Sequence, residues 1–363
     1  MERLEKFRGF LGFWPRGDMI HKNRILFLDI LRIMSIFAVI LIHSIYPLGE
    51  RIDQTIIFDW WIANIYGATS RWSVPIMVMI SGALLLNSKK DESIPIFFKK
   101  RVSRIFVPIL FWSVFYMFWN GIDLQMSTIM LNFITGQVNF HLWFVFLIMG
   151  LYLTTPILRI YIKNADEIHV EYFIFFWIVS IINTYMKTRY GIGTGIEIGF
   201  FTGFIGYYIL GYYLTNIDFD KKYKNLIYIL SISGAFITTF GTYILTKDTN
   251  LLDQSYYSYL SPNVMVMSIG IFIFFKNIDW KKIEIFNNLK IIDVITKMSI
   301  LSFGAYLIHA LILSILANNL IGSKLILLLG PIIGIPLYAL IVMLISYLLV
   351  EIIDNVPILK YII

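Results

Sequence analysis

The chain has 363 residues, of which 58% are hydrophobic, 17% aromatic and only 15% charged, and its mean hydropathy is +0.75. A soluble domain is about a quarter charged, so this composition excludes an ordinary water-soluble enzyme, and it is the reverse of a disordered chain. The absence of cysteine removes disulfide scaffolds, thiol nucleophiles and thiolate metal sites, while the meaning of the net charge of +7 depends on where the basic residues lie.

Residues 1–22 mix Phe7, Phe10, Leu11, Phe13 and Trp14 with basic side chains, the pattern of a segment lying at the cytoplasmic membrane interface. No small-residue cleavage site follows the first apolar stretch, which argues against a cleaved signal peptide. From residue 23 onward, about ten stretches approach the roughly 20 apolar residues that a helix needs to cross the hydrocarbon layer. They are 25–46, 65–86, 102–120, 141–160, 169–186, 196–215, 225–245, 261–276, 298–318 and 324–350. Apolar character begins near Ile56, so the region up to Ala68 reads as an outer interfacial helix or as part of the second span. Gly199 and Gly203, four apart, and the Ser81-Gly82 pair read as close helix-packing positions.

With a cytoplasmic N-terminus, 23 Lys and Arg residues fall in inner segments and five in outer ones. Such a bias over short loops is a positive-inside signal. It places both termini in the cytoplasm and makes anionic lipid, rather than nucleic acid, the partner of the positive charge. The expected fold is an all-α polytopic membrane protein in which residues 23–363 form one ten-helix membrane domain.

Ionisable side chains inside spans are costly unless they face a cavity or a partner, so each is a functional candidate. Arg32 and His43 are eleven steps apart in the first span, which returns to within about 20° of one helix face, roughly 16 Å further along. Arg32 either snorkels to the inner headgroups or serves a site; Asp29, one turn before it, is a candidate partner at i, i+3. A neutral imidazole at His43 can take a proton near physiological pH and return it, as a general base acting on an alcohol must. Arg101 and Arg104 share one side of the third span, and their forked guanidinium groups suit phosphate oxygens, although basic clusters at inner span ends also arise as topology signals. Arg71, His141 and Glu197 fall near the outer depth of His43. Trp143 reads as an interfacial belt residue, and His309, mid-span, is satisfied by a backbone carbonyl across a helix contact or belongs to the site. The five histidines, at 21, 43, 141, 169 and 309, show no metal-ligand spacing, and no Walker-type loop or nucleophile elbow is present.

Taken in order, these residues resemble the acyltransferase 3 family of bacterial integral-membrane O-acyltransferases. The resemblance rests on Asn23 to Arg32, the Arg32 to His43 spacing, Val74-Pro75, Ser81-Gly82, the Arg101 and Arg104 pair, His141-Leu142-Trp143-Phe144 with Leu151-Tyr152, and Tyr306-Leu307-Ile308-His309. One departure is Met77-Val78-Met79-Ile80 before Ser81-Gly82, where many members have phenylalanines. Similarity is greatest to stand-alone members that modify surface polysaccharides. The resemblance implies a multi-pass protein of the bacterial cytoplasmic membrane with no permanently bound cofactor or metal. It implies acetyl-CoA or another acyl-CoA as donor and a hydroxyl of a cell-envelope glycan, or its lipid-linked precursor, as acceptor. Under it, Arg101, Arg104 and Arg32 hold the acyl-CoA phosphates. His43 acts with Arg32 and Arg71 in catalysis, and His141, Trp143, Glu197, Tyr306 and His309 line the acceptor side. The competing expectations are a transporter or flippase of a glycan precursor, and a membrane sensor or scaffold without chemistry.

Overall fold

The structure, a computed structural model, describes residues 24–87, 93–122, 125–195 and 199–363; the interfacial segment expected over 1–22, and Glu197, lie outside these residues. Among the described residues all regular secondary structure is helical, apart from one isolated antiparallel bridge between Arg51 and Leu251. The principal helices are α1 (Leu26–Ser44), α2 (Ile57–Thr69), α3 (Ser73–Leu86), α4 (Ile94–Trp119), α5 (Met126–Thr135), α6 (Trp143–Asn164), α7 (Glu167–Tyr190), α8 (Ile205–Asn216), α9 (Lys221–Thr249), α10 (Pro262–Asn277), α11 (Leu289–Asn318) and α12 (Ile321–Asn355). Among the described residues nine stretches are long and apolar enough to cross a membrane, α2 and α3 counting as one. The chain is an all-α polytopic membrane protein.

Two stretches differ from the sequence reading. The region from Ile56 to Ala68 becomes α2, which runs into α3 with only Ser70, Arg71 and Trp72 between them, so a broken 30-residue span replaces a separate interfacial helix. The stretch 196–215 yields only the 12-residue α8. Its glycines explain the shortening. Gly191 ends α7 and Gly203 precedes α8, both with left-handed φ (69° and 74°), a conformation that interrupts a helix.

The described residues fall into two compact units, one of residues 26–87 and 162–347, the other of 88–161 and 348–363 together with the chain start. In the first, small residues set the helix contacts, as expected where lipid provides no hydrophobic drive for helices to associate. A Cβ on Gly82 would lie 1.7 Å from the Tyr208 carbonyl oxygen, and one on Gly211 would lie 2.0 Å from that of Met79. The α3 and α8 backbones therefore touch at two reciprocal points. Gly82 is thus the packing position anticipated, whereas Gly199 and Gly203 have open space around them and the close contacts fall to Gly206 and Gly211. Gly206 packs under the Trp177 indole, whose Nε1 donates to the Gly203 carbonyl at 2.9 Å. Along α9, Ser231, Gly234, Thr238, Thr239, Thr242 and Thr246 form a buried small-residue stripe; Gly234 abuts the Asn263 carbonyl of α10, and Asn263 Nδ2 donates to Thr238 Oγ1 at 2.8 Å.

Helix α12 is interrupted at Gly330, whose φ of 70° and ψ of 163° are not helical, and Pro331 and Pro336 follow. Proline has no N–H, so Pro336 leaves the Ile332 carbonyl without its usual i+4 donor. The Tyr66 hydroxyl of α2 supplies a replacement, donating to that carbonyl at 2.7 Å. In the second unit, Trp112 Nε1 of α4 donates to the Ile362 carbonyl at 2.7 Å, which fastens the end of the chain to α4.

Candidate functional site

In the unit that holds α1 and α11, the sequence-predicted residues separate into two levels. Near the start of α1, Ser299 Oγ donates to Asp29 Oδ1 at 2.5 Å and accepts from Arg32 Nη1 at 3.2 Å. Asp29 and Ser299 are both buried. The i, i+3 neighbours thus meet through a serine of α11, a bridge that ties the two helices together. His43 lies eleven residues on, roughly 16 Å along α1, so the side chain of Arg32 belongs to a different level from the imidazole.

At the His43 level, α11 supplies His309. The two rings stack with centroids 5.6 Å apart and an interplanar angle of 27°. His309 is fully buried, and its Nδ1 lies 2.5 Å from the carbonyl oxygen of Tyr306. A carbonyl can only accept, so Nδ1 must carry the proton, and in the neutral ring Nε2 is the lone-pair atom. The carbonyl that His309 meets belongs to its own helix, one turn back, and not to a neighbouring helix as expected, and the ring also lies beside that of His43. Tyr306, itself buried, sets its ring 5.4 Å from that of His309.

Arg71 joins this level, close enough to His43 for their charges to interact. It sits in the break between α2 and α3, which frees its backbone from a regular helix and lets the side chain turn back into the protein. Its guanidinium carbon lies 4.1 Å from the ring centroid of Tyr257 and 5.9 Å from that of Tyr259. Among the described residues, Arg71 Nε and the Oγ of neighbouring Ser73 are buried without hydrogen-bond partners. Buried donors are nearly always paired, so Nε–H at this position is a donor suited to an oxygen supplied by a ligand.

The other unit repeats the two-level pattern along α4. Arg101 and Arg104 lie in its first turns, within range of one another, with Tyr152 of α6 near Arg104. Arg159 of α6 joins them. Its guanidinium carbon is 4.9 Å from the buried ring of Phe97, and that of Arg101 is 5.5 Å from the same ring. Sequence alone gives no sign of this approach, because Arg159 lies 55 positions beyond Arg104 in the chain. His141 sits at the far end of α4. It is buried, packs edge-on against Tyr116 at 5.0 Å, and places Nδ1 3.2 Å from Asn139 Oδ1. Tyr116 is twelve residues past Arg104, about 18 Å along the helix. Trp143, at the start of α6, is 37% exposed, as befits a belt residue. Glu197 lies outside the described residues.

Within each unit taken by itself, one helix carries an arginine toward its start and reaches an imidazole toward its end, Arg32 and His43 for α1, Arg104 and His141 for α4. The Acyl_transf_3 family, described as "Acyltransferase domain", matches residues 25–351, and the chain belongs to this family. It is therefore a membrane acyltransferase. Neither the curated proteins nor the solved structures contain a match to it.

Proposed function

We propose that the protein transfers an acetyl group from acetyl-CoA to a hydroxyl of a cell-envelope polysaccharide, or of its lipid-linked precursor, in the bacterial cytoplasmic membrane. The observation that carries this reading is the meeting of His43, His309 and Arg71 at one level, joined to family membership. In this scheme His43 removes the proton of the acceptor hydroxyl as its oxygen attacks the thioester carbonyl carbon. The carbonyl oxygen becomes an oxyanion, for which the Arg71 guanidinium is the stabilising cation. On collapse the new C–O bond remains, the C–S bond breaks, and His43 returns the proton to the departing thiolate, giving the acylated glycan and free CoA. Arg101 and Arg104, with Arg32 as the further candidate, take the CoA phosphates, for which several forked cations are the matching chemistry. His141, Trp143, Tyr306, His309 and Glu197 are assigned to the acceptor side.

The test is mass spectrometry of the surface glycans of a host with the gene intact, deleted, or carrying His43→Ala. Loss of one acyl mass in both altered strains is the expected result. Wild-type acylation with His43→Ala at matched protein level overturns the general-base assignment. In washed membranes, replacing Arg101 and Arg104 together should raise the KM for acetyl-CoA by roughly tenfold or more, the scale of losing charge-assisted phosphate contacts; an unchanged KM removes their phosphate role.

A further inference from the structure

Arg71 is held by a connected set of side chains whose roles no motif announces. Tyr257, 2% exposed, lies in the short 3-10 turn Ser255–Tyr257 ahead of α10. One face of its ring carries the Arg71 guanidinium at 4.1 Å. At the other end of the same side chain, the hydroxyl donates to Asn64 Oδ1 at 2.6 Å and also lies 3.2 Å from the Asn64 carbonyl. Asn64, 2% exposed, is in turn fixed by Nδ2 donating to the Thr239 carbonyl of α9 at 3.0 Å. Three residues after Asn64, Gly67 faces the same tyrosine. A Cβ there would stand 3.0 Å from the Tyr257 hydroxyl and 2.7 Å from Ile45 Cδ1. The i, i+3 spacing of Asn64 and Gly67 thus forms a seat on α2, one residue supplying the acceptor and the other the space.

We propose that Tyr257 is a positioning residue. Seated by Asn64 and Gly67, it fixes the Arg71 guanidinium so that the buried Nε–H side meets the oxyanion of acyl transfer without rearrangement. The physical reason is that a flexible cation must be ordered as charge develops, whereas one already held by a desolvated ring is in place before the reaction starts. Arginine alone does not hold itself. Its side chain has high rotamer freedom, and among the described residues Nε has no protein acceptor to anchor it. The inference deepens the assignment of Arg71 made above and rests on it.

The experiment is a mutant cycle on the full chain in washed membranes, following incorporation of label from acetyl-CoA, with each variant matched for folded protein by size-exclusion of a fluorescent fusion. Arg71→Lys alone tests the underlying assignment, because turnover equal to wild type removes Arg71 from catalysis whatever Tyr257 does. Given a loss there, Tyr257→Leu should lower kcat about tenfold, the scale of a desolvated cation–π contact, and leave the KM for acetyl-CoA unchanged. Tyr257→Phe, which keeps the ring and loses only the tie to Asn64, should fall between wild type and Tyr257→Leu. In the Arg71→Lys background the same Tyr257→Leu change should cost less than about twofold, since positioning acts only through the guanidinium. Full turnover with Tyr257→Leu, or an undiminished loss in the Arg71→Lys background, overturns the proposal. Should Tyr257→Leu fail to fold, Gly67→Ala presses on the seated hydroxyl and must show the same dependence on Arg71.

Discussion

The serine between Asp29 and Arg32 shows how a single hydroxyl can serve a buried carboxylate and a half-buried guanidinium at once. Ser299 gives its proton to the carboxylate and its lone pair to the guanidinium, so neither is left bare at the α1–α11 contact. Removing the hydroxyl takes one hydrogen bond from each group, and a hydrogen bond to a charged group contributes about 1.5–3 kcal/mol. Ser299→Ala should therefore lower the thermal midpoint in detergent by several degrees, while Ser314→Ala, further along α11, serves as a control. A midpoint unchanged to within error would mean that Asp29 and Arg32 close on each other directly. The sequence alone carried Asp29, Arg32 and their spacing, but the bridging residue is 270 positions from Asp29, and no local pattern could point to it. The same holds for Tyr257. An aromatic in a polar turn between spans is indistinguishable from a belt residue until its ring is seen against Arg71.

At the level of elements, periodicity and length located nearly every span, because roughly 20 apolar residues in a row leave few alternatives. The exceptions have local causes. Residues 196–215 are apolar enough to span, but the left-handed Gly203 delays the helix to Ile205. Small residues also proved ambiguous from sequence, since Gly199 and Gly203 share the four-residue spacing of a packing face but, among the described residues, a Cβ at either would meet no neighbour, and the close contacts between α3, α7 and α8 belong to Gly82, Gly206 and Gly211. Spacing states which glycines share a face, not whether another backbone lies against it. Because a Cβ at either Gly82 or Gly211 would run into backbone, relief requires moving α3 from α8, and overpacking of this kind typically costs about 1–3 kcal/mol or more. Gly82→Ala and Gly211→Ala should each reduce the folded fraction recovered by size-exclusion. The double variant should lose less than the sum of the two, because one separation relieves both clashes. Strict additivity would show the two points to be independent.

For the whole molecule, charge placement argues for an orientation and leaves the chemistry to a few exceptions. The 23 basic residues assigned to inner segments account for most of the positive excess, while His43, Arg71 and His309 converge inside the protein. What a single chain could not disclose was which of the exceptions meet. Arg32 shares a helix face with His43 and meets Ser299 of α11, and Arg159, one of the inner charges, shares a buried ring with Arg101.

The interruption at Gly330 resolves a mismatch between the last helix and the thickness it must fit. Straight, the 35 residues of Ile321–Asn355 would measure about 52 Å, against a hydrocarbon layer of roughly 30 Å. Divided at Gly330, the portion after it is about 37 Å long, a length that tilt accommodates, and the short portion before it folds back on the start of the longer one, Gly334 facing Ile326 and Gly322 facing Tyr338. Leu327 and Leu328 on that short portion are 85% and 78% exposed, which suits an apolar flank resting among acyl-chain ends close to the headgroups. The chain contains no cysteine, so a single thiol introduced at Leu328 can carry a spin label without competing sites. Its accessibility to a water-soluble relaxant should resemble that of a residue at the bilayer margin, whereas a label at Leu344 should be shielded. Equal shielding at both positions would indicate a continuous, steeply tilted helix. With the label at Leu328 at the margin and that at Leu344 shielded, a glycine and a proline act as a ruler that cuts an overlong apolar segment to the depth of its membrane.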